Sequence, residues 1–100
     1  MAESDARLNE RRGRIAFRAW RRGFREADLL LGPFADQAGP TMSTAELDAF
    51  EALLGAEDHD IYAWIIEQQT PPPQHQGPLM ERLQAFVRAG VADVVAEGAG

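Results

Sequence analysis

The chain has 100 residues, no cysteine, and 16 acidic against ten basic residues, giving a net charge of −6. That length suits one small domain burying roughly 60–70% of its unfolded surface, and the lack of cysteine excludes disulfides and thiolate metal sites and suits a reducing compartment. Charge is segregated: residues 1–25 hold eight arginines against three acids, a net of +5, and residues 26–100 hold two arginines against 13 acids, a net of −11.

Residues 1–6 are small or charged and are expected to fray, an N-terminal disordered stretch before a domain at 7–90. Glu3, Asp5 and Glu10 argue against a transit peptide, which is poor in acids, so the start reads as mature bacterial protein. From Arg7 the pattern turns helical, with Leu8, Ile15 and Ala19 on one stripe and arginines over the rest. Phe24, Ala27, Leu31 and Phe34 form a second stripe at spacings of three and four. One unbroken helix of thirty residues would span about 45 Å, too long for a domain with a radius of gyration near 13 Å, so Gly23 is the expected break.

Gly32-Pro33 is expected to interrupt or kink the second helix, because proline lacks the amide donor and crowds the preceding turn. Ala38-Gly39-Pro40-Thr41 follows as a loop. Ser43 and Glu46 form a capping box, Leu47, Phe50, Leu53 and Leu54 a buried face, and Gly55 a terminator. Asp58 is the expected cap of the next helix, with Asp60 near its positive end and Ile61, Trp64 and Ile65 as its core stripe. Trp20, Phe24 and Trp64 all read as core residues at this spacing.

Three prolines within Thr70–Gln76 predict an extended connection. Pro78 then opens a fifth helix carrying Leu79, Leu83, Phe86 and Val87. Gly90 weakens the helix beyond it, and residues 91–100 read as a flexible tail. No segment alternates like a strand, and the longest apolar run, Ala27 to Phe34, is far short of the roughly 20 residues of a membrane span. The fold class is therefore all-α, a single small five-helix bundle with frayed termini and no membrane insertion.

Catalytic groups are scarce. Ser4 lies in the frayed start and Ser43 is occupied as a cap, which leaves no nucleophile of the usual kinds. His59 and His75 lie on different segments, and capping accounts for the aspartates around His59, so no metal site is expected. No glycine-rich phosphate loop occurs. The chain reads as a binding protein rather than an enzyme, and the arginine helix is its one chemical signal. That helix suits a solvated face, a nucleic-acid contact or an acidic protein surface, although the acidic remainder would repel a polyanion. Arg22 and Glu26, four apart, read as a weak surface ion pair, and Gly23 as a helix terminator.

Arg21-Arg22-Gly23-Phe24-Arg25-Glu26-Ala27-Asp28, followed by Leu29-Leu30-Leu31-Gly32-Pro33-Phe34-Ala35, resembles the signature of the succinate dehydrogenase flavinylation factors, the bacterial and mitochondrial assembly factors of the complex II flavoprotein. Their hallmark is Arg-Gly-x-x-Glu. The similarity continues through Ser43–Leu47, Phe50–Leu54 and Asp58–Ile65, and departs at Phe24, in the proline-rich connection and in the tail. The resemblance implies a five-helix helper, monomeric and without a catalytic site. Its partner would be the flavoprotein subunit of succinate dehydrogenase, with fumarate reductase as a further client. It would promote covalent attachment of FAD to a partner histidine, the FAD being the partner's and not stably bound by the helper. Arg22, Gly23 and Glu26 match the motif and would lie at the interface, with Arg21 and Arg25 widening it and Asp28 as a further candidate. A bacterial member works in the cytoplasm and a eukaryotic one in the mitochondrial matrix. The readings that stand against it are an arginine-rich nucleic-acid-binding protein and an antitoxin-like adaptor.

Overall fold

The computed structural model describes the backbone of residues 5–98 and the side chains of residues 6–90. Five α-helices follow in order, α1 (Asp5–Trp20), α2 (Arg25–Ala38), α3 (Thr44–Leu54), α4 (Asp58–Ile65) and α5 (Pro78–Gly98). Short 3-10 turns cover Gly39–Thr41 and Pro73–His75, and there is no strand among the described residues. Residues 1–4 of the expected frayed start lie outside the described residues. Helix α5 runs past Gly90 through most of the expected tail, where the side chains lie outside the described residues.

The helices form because each carries an apolar stripe that one shared core absorbs. Leu31 of α2, Phe50 of α3, Ile61 and Ile65 of α4 and Leu83 of α5 are fully buried and belong to one cluster. Phe34 sits at its centre, with ring centroids 5.7 Å from Phe50 and 5.5 Å from Phe86, both edge to face. Such pairs contribute about 0.5–1.5 kcal/mol beyond area burial. No polar or charged residue is classed as buried among those described.

The expected break falls where glycine permits it. Gly23 has φ +90°, a region that side chains rarely adopt, and α1 and α2 fold back on each other as a hairpin around it. Gly32 serves a different need. A Cβ there would meet Trp20 Cδ2 at 2.2 Å, so the indole lies flat on α2 only because residue 32 has no side chain. Trp20 also donates its ring N–H to Asp36 over 3.0 Å. It is 39% exposed, a surface strap between α1 and α2 and not the expected core residue. Phe24 is half-buried, while Trp64 is in the core.

Pro33 does not interrupt α2, which continues to Ala38. The carbonyl deprived of its helical donor belongs to Leu29, a residue 54% exposed on the outer side of the bundle. The capping box forms as predicted, with Ser43 Oγ accepting from Glu46 N at 3.1 Å and Glu46 Oε1 accepting from Ser43 N at 3.3 Å. The proline-rich connection is extended at Pro72 and then closes into the 3-10 turn, where Gln76 donates to the Pro71 carbonyl over 2.8 Å.

Candidate functional site

The α1–α2 corner, residues 21–24, is held from three directions. Phe24 precedes α2 in an extended conformation and offers no side-chain cap. Asp28, one turn into α2, instead ties down the chain that enters the helix. Its Oδ1 accepts from Arg22 N at 3.1 Å and its Oδ2 from Gly23 N at 3.2 Å. An acid in the first turn also complements the positive end of the helix dipole.

The Arg22 side chain turns inward, with 12% of its surface exposed. Nε donates to Asp58 Oδ1 at 2.5 Å, Nη1 to the Leu54 carbonyl at 2.5 Å and Nη2 to the Ala56 carbonyl at 2.7 Å. Leu54 ends α3 and Asp58 begins α4. One guanidinium therefore supplies a cation and donors to carbonyls at the negative end of α3, and pairs an acid at the positive end of α4. Phe24 fixes the same corner from the other side, with ring centroids 4.6 Å from His59 and 5.7 Å from Tyr62.

Two expectations change here. The Arg22–Glu26 ion pair is not formed, because Asp58 and two helix-end carbonyls outcompete a solvated glutamate for the guanidinium. Asp58 is not the cap of α4. Glu57 occupies that position without a side-chain cap bond, and Asp58 answers Arg22 instead. No sequence signal marks this link, since its acceptors lie 32 to 36 residues away and two of them are backbone carbonyls. Asp28 entered the predicted site through the family resemblance alone, although an acid one turn beyond a glycine break is a local signal for it.

The outward-facing groups are then well defined. Arg21, Gly23, Arg25 and Glu26 are exposed, and a Cβ at Gly23 would meet nothing within 4 Å. Glu26 has no hydrogen bond or ion pair among the described residues. The six residues of the predicted site thus separate into an inward pair, Arg22 and Asp28, and an outward set, Arg21, Gly23, Arg25 and Glu26. A free carboxylate beside two cations on a pinned corner can orient a donor on another molecule. Among the described residues no group of three or more His, Cys, Asp or Glu is placed to hold a metal, and no helix is long and apolar enough to cross a membrane.

The sequence pattern of one family, described as flavinator of succinate dehydrogenase, matches residues 13–87. Among curated proteins the chain is similar to succinate dehydrogenase assembly factor 2, mitochondrial, of Cryptococcus neoformans, at 38% identity over 77% of this chain and 45% of that protein. The protein of the same name from Danio rerio is 34% identical over 81% of this chain and 52% of its own length, and that from Candida glabrata 34% over 79% and 54%. The chain spans about half the length of the curated relatives it matches.

Proposed function

The chain belongs to the family of succinate dehydrogenase flavinators, and from that premise we propose that it docks on the flavoprotein subunit of succinate dehydrogenase and promotes covalent attachment of FAD to a partner histidine. The observation that carries this reading is the division of the motif, with Arg22 and Asp28 spent on the chain's own backbone and the Glu26 carboxylate left free beside Gly23.

The FAD held by the partner would supply the chemistry, a methyl carbon on its ring losing a proton and bonding the histidine nitrogen while the ring takes up the electron pair. This chain supplies alignment. Well-oriented groups reach effective molarities of about 10⁵ M and above, and a helper gains this by clamping the partner's domains in one arrangement. Gly23 lets the partner's surface approach the backbone closely, since no side chain stands there. Glu26 accepts a hydrogen bond from a partner donor and orients it, while Arg21 and Arg25 pair with partner acids at the rim. Arg22 and Asp28 act through the corner they hold. The chain works as a monomeric helper, with no catalytic step of its own.

The test compares Glu26→Ala and Gly23→Arg with the parent, each co-expressed with the flavoprotein subunit, by in-gel flavin fluorescence and thermal melting. Glu26→Ala melts close to the parent, because the side chain makes no hydrogen bond or ion pair among the described residues and gives up only a first-turn helix-dipole contribution of about 0.3–1 kcal/mol, and covalent flavin falls severalfold or more. Gly23→Arg adds strain at φ +90° of about 1–3 kcal/mol and blocks the approach. Normal flavinylation by both folded variants would sink the assignment. Repeating the assay with the fumarate reductase flavoprotein decides whether that subunit is a second client.

A further inference from the structure

The arginines sort by what they hold. Arg11, Arg22, Arg82 and Arg88 each pair with a carboxylate of their own chain, Arg12 donates to the Met42 carbonyl, and Arg7 is engaged as well. Arg14, Arg18, Arg21 and Arg25 are exposed and make no ion pair among the described residues. The first three of these share one face of α1 and its end with Phe17, which is 60% exposed, the highest among the exposed large apolar side chains described. Arg21 Cζ stands 4.6 Å from the Phe17 ring centroid. Gly13, Arg14, Phe17 and Arg18 line a shallow concavity, with Glu10 at its far rim.

The fold does not account for this face. Arg14 and Arg18, four apart, repel along the helix, and Phe17 lies outside the core with most of its surface open. Arg18 alone has a role within the helix, as a cation in its last turn.

We infer that this face of α1 is a docking surface for an acidic protein segment bearing one apolar side chain, its carboxylates meeting Arg14, Arg18 and Arg21 and its apolar side chain packing on Phe17 over Gly13. The planar guanidinium matches a carboxylate in two-point contact, and a phenylalanine floor rewards an apolar anchor. The basic strip is short, since Arg14 to Arg21 spans about 10 Å at 1.5 Å per residue. Asp48 and Glu51 border its Arg14 end, and residues 26–100 carry a net −11. A longer polyanion would run onto acids, whereas a short acidic segment fits. The inference rests on the docking proposed above, because the strip ends at Arg21, next to the Gly23–Glu26 corner, and one partner spans both.

The experiment uses Phe17→Ser and the double variant R14E/R18E, with R14Q/R18Q as a milder second choice should charge reversal lower the melting point. Affinity for the purified flavoprotein subunit is measured from low to high salt. The expected result is parent-like melting, affinity reduced about tenfold or more, a flattened salt dependence for the arginine variants, and covalent flavin restored by excess helper. Parent-like affinity and salt dependence in all the α1 variants, with Gly23→Arg still defective, overturns the α1 surface and leaves the corner reading intact. Parent-like flavinylation by Gly23→Arg and Glu26→Ala instead defeats the corner reading. Loss of binding to a short oligonucleotide, or of self-association, with flavoprotein affinity unchanged, also overturns the inference by giving the face a different occupant.

Discussion

The Arg22 guanidinium joins three acceptors at the α3–α4 junction, two backbone carbonyls and the Asp58 carboxylate. Hydrogen bonds to charged groups contribute about 1.5–3 kcal/mol each, with little additivity within a cluster. Arg22→Ala is therefore expected to cost about 2–4 kcal/mol in urea unfolding, and Arg22→Lys to recover only part of it, since an ammonium cannot fork to three sites. Glu26→Ala, in the same motif, costs at most about 0.3–1 kcal/mol, the contribution of a first-turn acid to the helix dipole. Gly32→Ala sets two effects against each other. Helix propensity favours alanine by about 1 kcal/mol, but the new methyl would stand 2.2 Å from the Trp20 ring. The ring must swing out and lose its bond to Asp36, so the variant is expected to be destabilised by about 1–3 kcal/mol, with indole emission shifted towards that of water-exposed tryptophan. At this scale the sequence was only partly legible. Gly23, Glu26 and the arginines were visible as a motif, but which of them turn inward depends on a corner that folds more than 30 residues later.

Helices were legible where periodic stripes met local caps. The α3 capping box needs residues only three apart, so Ser43 and Glu46 announce it. Ser43→Ala is expected to cost about 1 kcal/mol in thermal unfolding. Glu46 also accepts from Arg82 at 2.6 Å, and this bond first, with the Ser43 bonds, holds its carboxyl below the usual glutamate range against the opposing effect of burial. A depressed folded pKa means the unfolded chain takes up this proton first as pH falls. The contribution is thus complete above about pH 4.5, the ordinary glutamate range, and disappears as pH falls through the lowered folded value. Glu46→Gln should flatten that part of the acid unfolding curve. Elements were less legible where no local cap marks them. Pro33, expected to interrupt or kink α2, does not interrupt it, and the helix continues to Ala38. Glu67, at φ +63°, takes the left-handed position after α4 that glycine would signal, and is tied at 2.5 Å to Arg88.

Across the whole molecule, charge separates two kinds of arginine. Arg11 holds Asp48 and Glu51, whose hydrogen bonds push its already high pKa further up, and so ties α1 to α3. Together with Arg22 and Arg82 it spends basic charge on joining helices distant in sequence, while the outer strip of α1 stays free. Added salt is therefore expected to weaken partner binding more than it lowers the melting point, because exposed charges are screened and partly buried pairs much less. Parallel titrations of affinity and melting against salt check this.

The Arg22 link also ties the motif to the order of synthesis. A ribosome finishes Arg22 through Glu26 well before Leu54, Ala56 and Asp58 exist, so the letters of the motif precede its shape. A peptide of residues 7–38 contains all of them and none of the three acceptors. It is expected not to compete with the full chain for the flavoprotein subunit at equal concentration. The client would then meet only helpers whose fourth helix has already docked, which makes the corner a proofreader of its own folding.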